Sequence, residues 1–311
     1  MIRSERKTAY AAIFVLLLVT AALFCYFSAP LQQSALNALL VCATSVTPSL
    51  FPFMVISSLL TQSAPYLFGE GTKQSKLFDL PASSFIAILL GCLCGFPMGM
   101  VTVAGLKRRG LLTARQAERL AAVSNNTGPA FVTGVIGATF WGSYSLGMRL
   151  YLIQLVSAAV LGSVFIAVSA RSKGGDSDTL TVTPASGQAR LTVVFTEAVG
   201  QAALGILRVC AFVVFFSVLI DGVSMILPQL PSGALAALSC VLEFTSGCRL
   251  AASLGGRAGA ALCAFAIGFS GISVMAQSAA FAAAEGIGMK KTFVFKLFQG
   301  FLSAIIAYFI I

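Results

Sequence analysis

From Thr8 to Phe27 the chain runs without one charged residue, and such a stretch leaves few ways to fold. About 18 uncharged apolar residues mark a membrane span. Inside lipid every backbone N–H and C=O must be satisfied within the protein, which an α-helix does by itself. Further apolar segments run at about 35–62, 83–106, 130–141, 147–170, 191–227, 233–254, 258–284 and 292–311. Of 311 residues, 58% are hydrophobic and 10% charged, with a mean hydropathy of +0.94; a soluble domain carries about a quarter charged residues. The expected fold is all-α: a polytopic membrane protein that contacts the lipid bilayer along most of its length.

The net charge of +10 raises the question of nucleic acid. The cations, however, lie in short clusters between apolar spans, as loop charges do under the positive-inside rule, so no nucleic-acid partner is expected. Cys25, Cys42, Cys92, Cys94, Cys210, Cys240 and Cys263 lie in apolar segments, no CxxC pair occurs, and there is no histidine. These thiols read as small hydrophobes, and neither a metal site nor a cofactor is expected. Arg3, Arg6 and Lys7 precede the first span and should hold the N-terminus in the cytoplasm. Residues 1–34 then form an anchor helix and connection.

Residues 91–110, GCLCGFPMGMVTVAGLKRRG, interrupt an apolar run with Gly95, Phe96, Pro97 and Gly99 and end it with Lys107, Arg108 and Arg109. Proline lacks an amide hydrogen and disfavours helix at the preceding residue. The pieces at about 83–95 and 97–106 are each too short for a bilayer core of about 30 Å. They fit a re-entrant hairpin, with a kinked continuous span as the alternative. Next, Thr113 with Gln116 three residues on reads as a capping box. It opens an amphipathic helix bearing Leu112, Ala117, Leu120 and Ala121, which ends at SNNTGP (124–129). Asn125, Asn126 and Thr127 followed by Gly-Pro describe either a second break or an ordinary loop.

The polar stretch 171–190 divides the chain, and its halves are weakly alike. LLGCLCGFPMGM (89–100) can be laid beside AFAIGFSGISVM (264–275), and a cationic segment follows each. The expected architecture is two pseudo-symmetric repeats, 35–170 and 191–311, each with a broken or re-entrant hairpin. Interrupted spans in corresponding positions point to a transporter's binding site. Half-helices starting at Gly99 and Gly271 would turn amides toward an anionic solute. Gly268, Ser270, Ser273 and Gln277 would surround the second break, although Gln277 also fits a plain helix–helix contact. Glu197, Arg208, Asp221, Glu243 and Arg249 lie in or near spans, where a central charge costs about 2.5–3.5 kcal/mol on insertion scales. Glu243 with Thr245 and Ser246 offers oxygens to a coupling ion, sodium or proton; a buried structural ion pair is the alternative.

The blocks GFPMG, LTARQAERLAAVSNNTGPAF, LEFTSGCRLA and GFSGISVMAQ resemble the YlbJ-type sporulation integral membrane proteins, which carry a nucleoside-recognition or gate domain. The likeness spans about 36–311, in a chain shorter than that family's usual size. It implies movement of dipicolinic acid across the membrane around the developing spore. More distantly the domain is similar to concentrative nucleoside transporters, with paired hairpins and inverted repeats. The expected function is secondary transport of a small polar or anionic solute in a bacterial plasma membrane, multi-pass, by a monomer or homo-oligomer. The alternative is a non-transporting scaffold or regulatory protein. No enzyme is expected: histidine is absent, GISVMAQS is no nucleophile elbow, and no Walker-type phosphate loop occurs.

Overall fold

The computed structural model describes residues 2–68, 74–75, 80–171 and 191–311. Nearly all of the expected central linker (172–190) lies outside the described residues. The chain is an all-α polytopic membrane protein. In order it builds α1 (Ile2–Tyr26), α2 (Ser28–Val41), a π-helical turn (Cys42–Val46) and α3 (Thr47–Phe68). A minimal antiparallel ladder of β1 (Gln74–Ser75) and β2 (Leu80–Pro81) comes next. Then follow α4 (Ser84–Leu93), α5 (Met98–Arg108), α6 (Ala114–Ser124), a π-helical segment (Phe131–Phe140) and α7 (Tyr144–Arg171). The second half holds α8 (Leu191–Ile226), α9 (Ser232–Leu242), α10 (Phe244–Leu254), α11 (Gly256–Phe269), α12 (Gly271–Ala284) and α13 (Lys290–Ile310). Among the described residues, Tyr144–Phe165, Thr192–Ile226, Gly256–Ala284 and Lys290–Ile310 are each long and apolar enough to cross a membrane.

The run at 83–106 divides where its sequence predicts. α4 stops at Leu93, Gly95 takes a φ of +81°, the Phe96–Pro97 peptide is cis, and α5 begins at Met98. The helices are about 15 and 16 Å long, too short to cross, and they pack along each other as a hairpin. A Cβ at Gly91 or Gly99 would overlap the Ser124 carbonyl, so both helices sit directly on the end of α6. That helix opens with the expected capping box: Gln116 N–H donates to Thr113 Oγ1 at 3.2 Å, and Thr113 N–H donates to Gln116 Oε1 at 3.0 Å. It buries Ala117, Leu120 and Ala121. The chain then breaks over Asn125–Gly128 and resumes as the apolar π-helical segment.

The second hairpin lies elsewhere than the sequence comparison of the two halves puts it. α9 and α10 pack along each other and are joined through one extended residue, Glu243 (φ −145°, ψ 116°). They approach so closely that a Cβ at Gly247 would lie 2.5 Å from Cys240 Cα. The break at Gly268–Gly271 is real: α11 ends at Phe269, Ser270 is left-handed (φ 77°) and α12 starts at Gly271. Its two pieces do not fold back on each other, however. α11 packs on α13, α10, α7 and α9, whereas α12 packs on α5, α8 and α9, so Gly256–Ala284, long and apolar enough to cross a membrane, is a broken span rather than a hairpin. The match of 89–100 with 264–275 thus sets a hairpin tip beside a crossing break. Glycine and phenylalanine mark both kinds of interruption, and the tip between α9 and α10 carries neither proline nor glycine.

Charged contacts gather at one end of the bundle. Arg108 Nε bonds Glu285 Oε1 at 2.6 Å, Lys107 Nζ donates to the Glu285 carbonyl at 2.6 Å, and Lys291 pairs with Glu118. These contacts place the base of the first hairpin beside the α12–α13 turn. At the opposite end Trp141, between the π-helical segment and α7, lies against Gly259 near the base of the second hairpin. Because Gly91 has no room for a methyl group, Gly91→Ala should destabilise the protein by about 1–3 kcal/mol. Gly134→Ala, a site with open space around it, should change the midpoint little; thermal unfolding in detergent compares the two.

Candidate functional site

Four interruptions meet in the middle of the molecule. The first tip touches the first break, the one between α6 and the π-helical segment: a Cβ on Gly95 would lie 2.5 Å from the Gly128 nitrogen. The second tip touches the second: a Cβ on Gly271 would lie 3.1 Å from the Phe244 nitrogen and 3.3 Å from the Leu242 carbonyl oxygen. Across the halves, Phe96 and Phe244 meet edge to face at 4.9 Å, and Phe131 stands 5.3 Å from Phe244. Such aromatic pairs add about 0.5–1.5 kcal/mol beyond their burial. Thr127 Oγ1 donates to the Ile267 carbonyl at 3.2 Å, and Asn125 Nδ2 donates to Ser278 Oγ at 2.9 Å, so the two broken segments are bonded to each other.

A narrow cavity opens at this meeting point. Cys94, Gly95, Phe96, Thr127, Gly128, Phe131, Glu243, Phe244, Thr245 and Gln277 line one side, with Val209 and Val213 of α8 and Leu50 and Phe53 of α3 on the other. Two further chambers follow α8. The one toward the ion-paired end is bounded by Arg108, Arg109, Glu197, Gln201, Arg208 and Phe281. The other is bounded by Asn37, Ser217, Asp221, Glu243, Thr245, Ser246 and Arg249. Glu197 to Asp221 covers about 36 Å of continuous helix, roughly a bilayer's hydrocarbon thickness.

Glu243 belongs to both the central cavity and the second chamber. It is 1% exposed, and its carboxylate accepts the Thr245 N–H at 2.9 Å and the Ser246 N–H at 2.7 Å. It therefore caps α10, satisfying two amides that a helix start leaves open. Asp221 and Arg249 share its chamber, but none of the three forms an ion pair with another; the buried-pair alternative does not describe them. Arg208 sits in the other chamber, 5.5 Å above the Phe281 ring.

The sequence-named residues divide into two sets. Gly95, Phe96, Thr127, Glu243, Thr245 and Gln277 converge on the cavity. Gly99, Gly268 and Gly271 instead permit backbone contact, with Ser124, with Gln299 and Gly300, and with the second tip. Asn125, Asn126, Ser270 and Ser273 are buried away from the lining. Gln277 Nε2 reaches Ser273 Oγ at 3.4 Å. The expected cradle of amides at Gly99 and Gly271 is thus filled by the protein itself, because those glycines are the points where elements cross.

Behind the Asn125–Gly128 break lies a polar network that the sequence reading missed. Lys296 is fully buried, its Nζ donating to Asn126 Oδ1 at 3.0 Å and to Gln299 Oε1 at 2.8 Å. Gln299 Nε2 donates to Asn126 Oδ1 at 3.1 Å. Gln154 clasps Thr127, accepting its N–H at 3.1 Å and donating to its carbonyl at 2.9 Å. Ser157 and Ser303 close the row at 2.7 Å. The available signal was the helical spacing of Lys296, Gln299 and Ser303 within an apolar run, which puts them on one face.

Removing the Glu243 cap by Glu243→Ala should cost about 0.5–2 kcal/mol, read as a lowered unfolding midpoint. Glu243→Gln, which keeps a side-chain acceptor, should lose less.

No known protein-family profile matches the chain. No solved structure matches it either. The sporulation integral membrane protein YlbJ of Bacillus subtilis (strain 168) is 27% identical over 300 aligned residues, covering 84% of this chain and 72% of that protein. The chain is therefore similar to YlbJ over most of its length, as its GFPMG, SNNTGP and GFSG blocks lead one to expect.

Proposed function

We propose that the protein is a secondary transporter of a small polar or anionic solute, and that the cavity at the four interruptions is its binding site. The observation that carries this reading is the succession of one chamber, that cavity and a second chamber along the length of α8. Irregular backbone at membrane depth is tolerated where protein or water receives it, and transporters place binding sites at discontinuous helices near the midplane. One chamber is lined by Arg208 as well as by Arg109 and the Glu285-paired Arg108, against Glu197, a cationic lining that favours an anion. The aromatic trio Phe96, Phe131 and Phe244 favours a flat ring. Both fit dipicolinic acid, the cargo implied by the YlbJ-type resemblance. YlbJ of Bacillus subtilis is a sporulation integral membrane protein, and the same setting is proposed here.

A hairpin, a broken crossing and a full crossing follow one another twice, as α4–α7 and as α9–α13. Their hairpins enter from opposite ends, which supports an inverted repeat with Glu243 corresponding to the Gly95–Pro97 tip. Lys107, Arg108 and Arg109 lie at the same end as Lys290 and Lys291, so the positive-inside rule puts that end in the cytoplasm of a multi-pass plasma membrane protein. The scaffold reading draws on one observation of its own: the breaks bond largely to each other, and the cavity between them is narrow and mainly apolar.

Uptake of labelled dipicolinate, nucleosides and related anions into proteoliposomes tests the choice. Saturable flux is expected, with Phe244→Ala reducing it about tenfold or more, the size of effect that follows loss of a central aromatic contact. No flux under any ion gradient would leave the scaffold. As a second check, a membrane-impermeant maleimide should reach Gln201→Cys from the cytoplasmic side and Ser217→Cys from the opposite side, each above the parent protein's own labelling.

A further inference from the structure

The most unusual charge-bearing group in the molecule lies outside the cavity. Lys296 is 0% exposed on α13, at a depth where charged side chains are rare and ordinarily paired or bathed in water. Its amine meets two neutral amide oxygens, those of Asn126 and Gln299. The hydrogen-bond inventory is informative. Asn126 Oδ1 also accepts from Gln299 Nε2, while Asn126 Nδ2 donates to the Val123 carbonyl at 2.9 Å and to Cys92 Sγ at 3.8 Å. Gln299 Nε2 reaches the Gln154 carbonyl at 3.3 Å as well. A neutral amine has two N–H donors, and these two oxygens use both. An ammonium brings a third donor and a full charge, and the described network supplies neither a third acceptor nor a carboxylate.

The surroundings leave few other ionisable groups. From α4 comes the Cys92 thiol, and from α7 Tyr151, whose hydroxyl donates to the Cys92 carbonyl at 3.0 Å. From α6 comes Glu118, already paired with Lys291 near the start of α13; Arg115 and Arg119 are engaged on the same helix. At this level α11 presents Gly268 and Phe269. The network also ends at the cavity, because Asn126 adjoins Thr127, which Gln154 clasps and which lines the cavity wall.

We propose that Lys296 is a protonatable switch set behind the substrate cavity: a proton added to its amine opens the Asn125–Thr127 break, so that proton occupancy, rather than a bound metal cation, sets the state of the broken helix. The Asn126 and Gln299 side-chain oxygens at this point are already occupied by an amine. Charging it leaves one donor unsatisfied, and the network can recover this by admitting water or releasing Asn126. The role in coupling rests on the transport reading; the switch itself does not.

The test is hydrogen–deuterium exchange of the full chain in lipid nanodiscs, followed by mass spectrometry of peptides covering 123–128. After correction for intrinsic exchange, the break should exchange about tenfold faster at about pH 6 than at about pH 9 in the wild type. Lys296→Gln, which donates but does not titrate, should lose that dependence. Lys296→Arg, charged throughout, should exchange fast at both pH values, and it decides the matter should the Gln variant fail to fold. Cys92→Ala should keep the wild-type profile. An unchanged profile in either lysine variant, or its loss in Cys92→Ala, overturns the proposal. In proteoliposomes the wild-type flux should respond to a pH gradient, and Lys296→Gln should lose that response. Absence of any wild-type flux would defeat the transport reading alone, while the exchange profile would still decide the switch.

Discussion

Polar backbone released in the middle of an apolar slab has no solvent to turn to, and in this protein the released segments turn to one another. The first tip lies on Gly128, the second on Gly271, Thr127 reaches Ile267, and Asn125 reaches Ser278. No one of these interruptions would be tolerable alone against lipid. Together they form a polar centre walled by aliphatic and aromatic side chains. The glycines at 91, 99 and 247 serve that centre, since each lets one backbone lie on another without a methyl group between them.

Glu243 shows how economically such a point can be built. One extended residue reverses the chain, and the same residue's carboxylate closes the two amides of the helix that follows. The first tip needs four residues, among them a glycine with positive φ and a proline. Similar geometry is thus reached by different local chemistry, which is why the two tips are hard to align by eye.

What could be read from the chain beforehand follows from this. The lengths of apolar runs dictate helices, Pro97 dictates a division, and Thr113 with Gln116 dictates a helix start; each is a local rule acting on adjacent residues. The break at Ser270 was legible for the same reason, because GFSG has glycines on both sides of it. Whether a broken run folds back or passes on is decided by what it packs against, and no local pattern carries that. The cavity lining was half legible. Phe96, Thr127, Glu243, Thr245 and Gln277 sit beside visible interruptions, whereas α8 and α3 contribute Val209, Val213, Leu50 and Phe53 from unremarkable apolar helix. Lys296 escaped notice because one cation in a long greasy segment reads as an exception until its neighbours at helical spacing are counted.

The two hairpins also differ in how they are held. The base of the first is tied down by Arg108 and Lys107 on Glu285, and its shaft is pressed against Ser124. The second leaves α10 through Gly255 and Gly256, both with positive φ and both with empty space where a side chain would be. One arm is anchored by ions at the edge of the slab and the other by backbone laid against backbone along α11, so the arm that carries Glu243 at its point owes its placement to apolar packing, which salt does not screen.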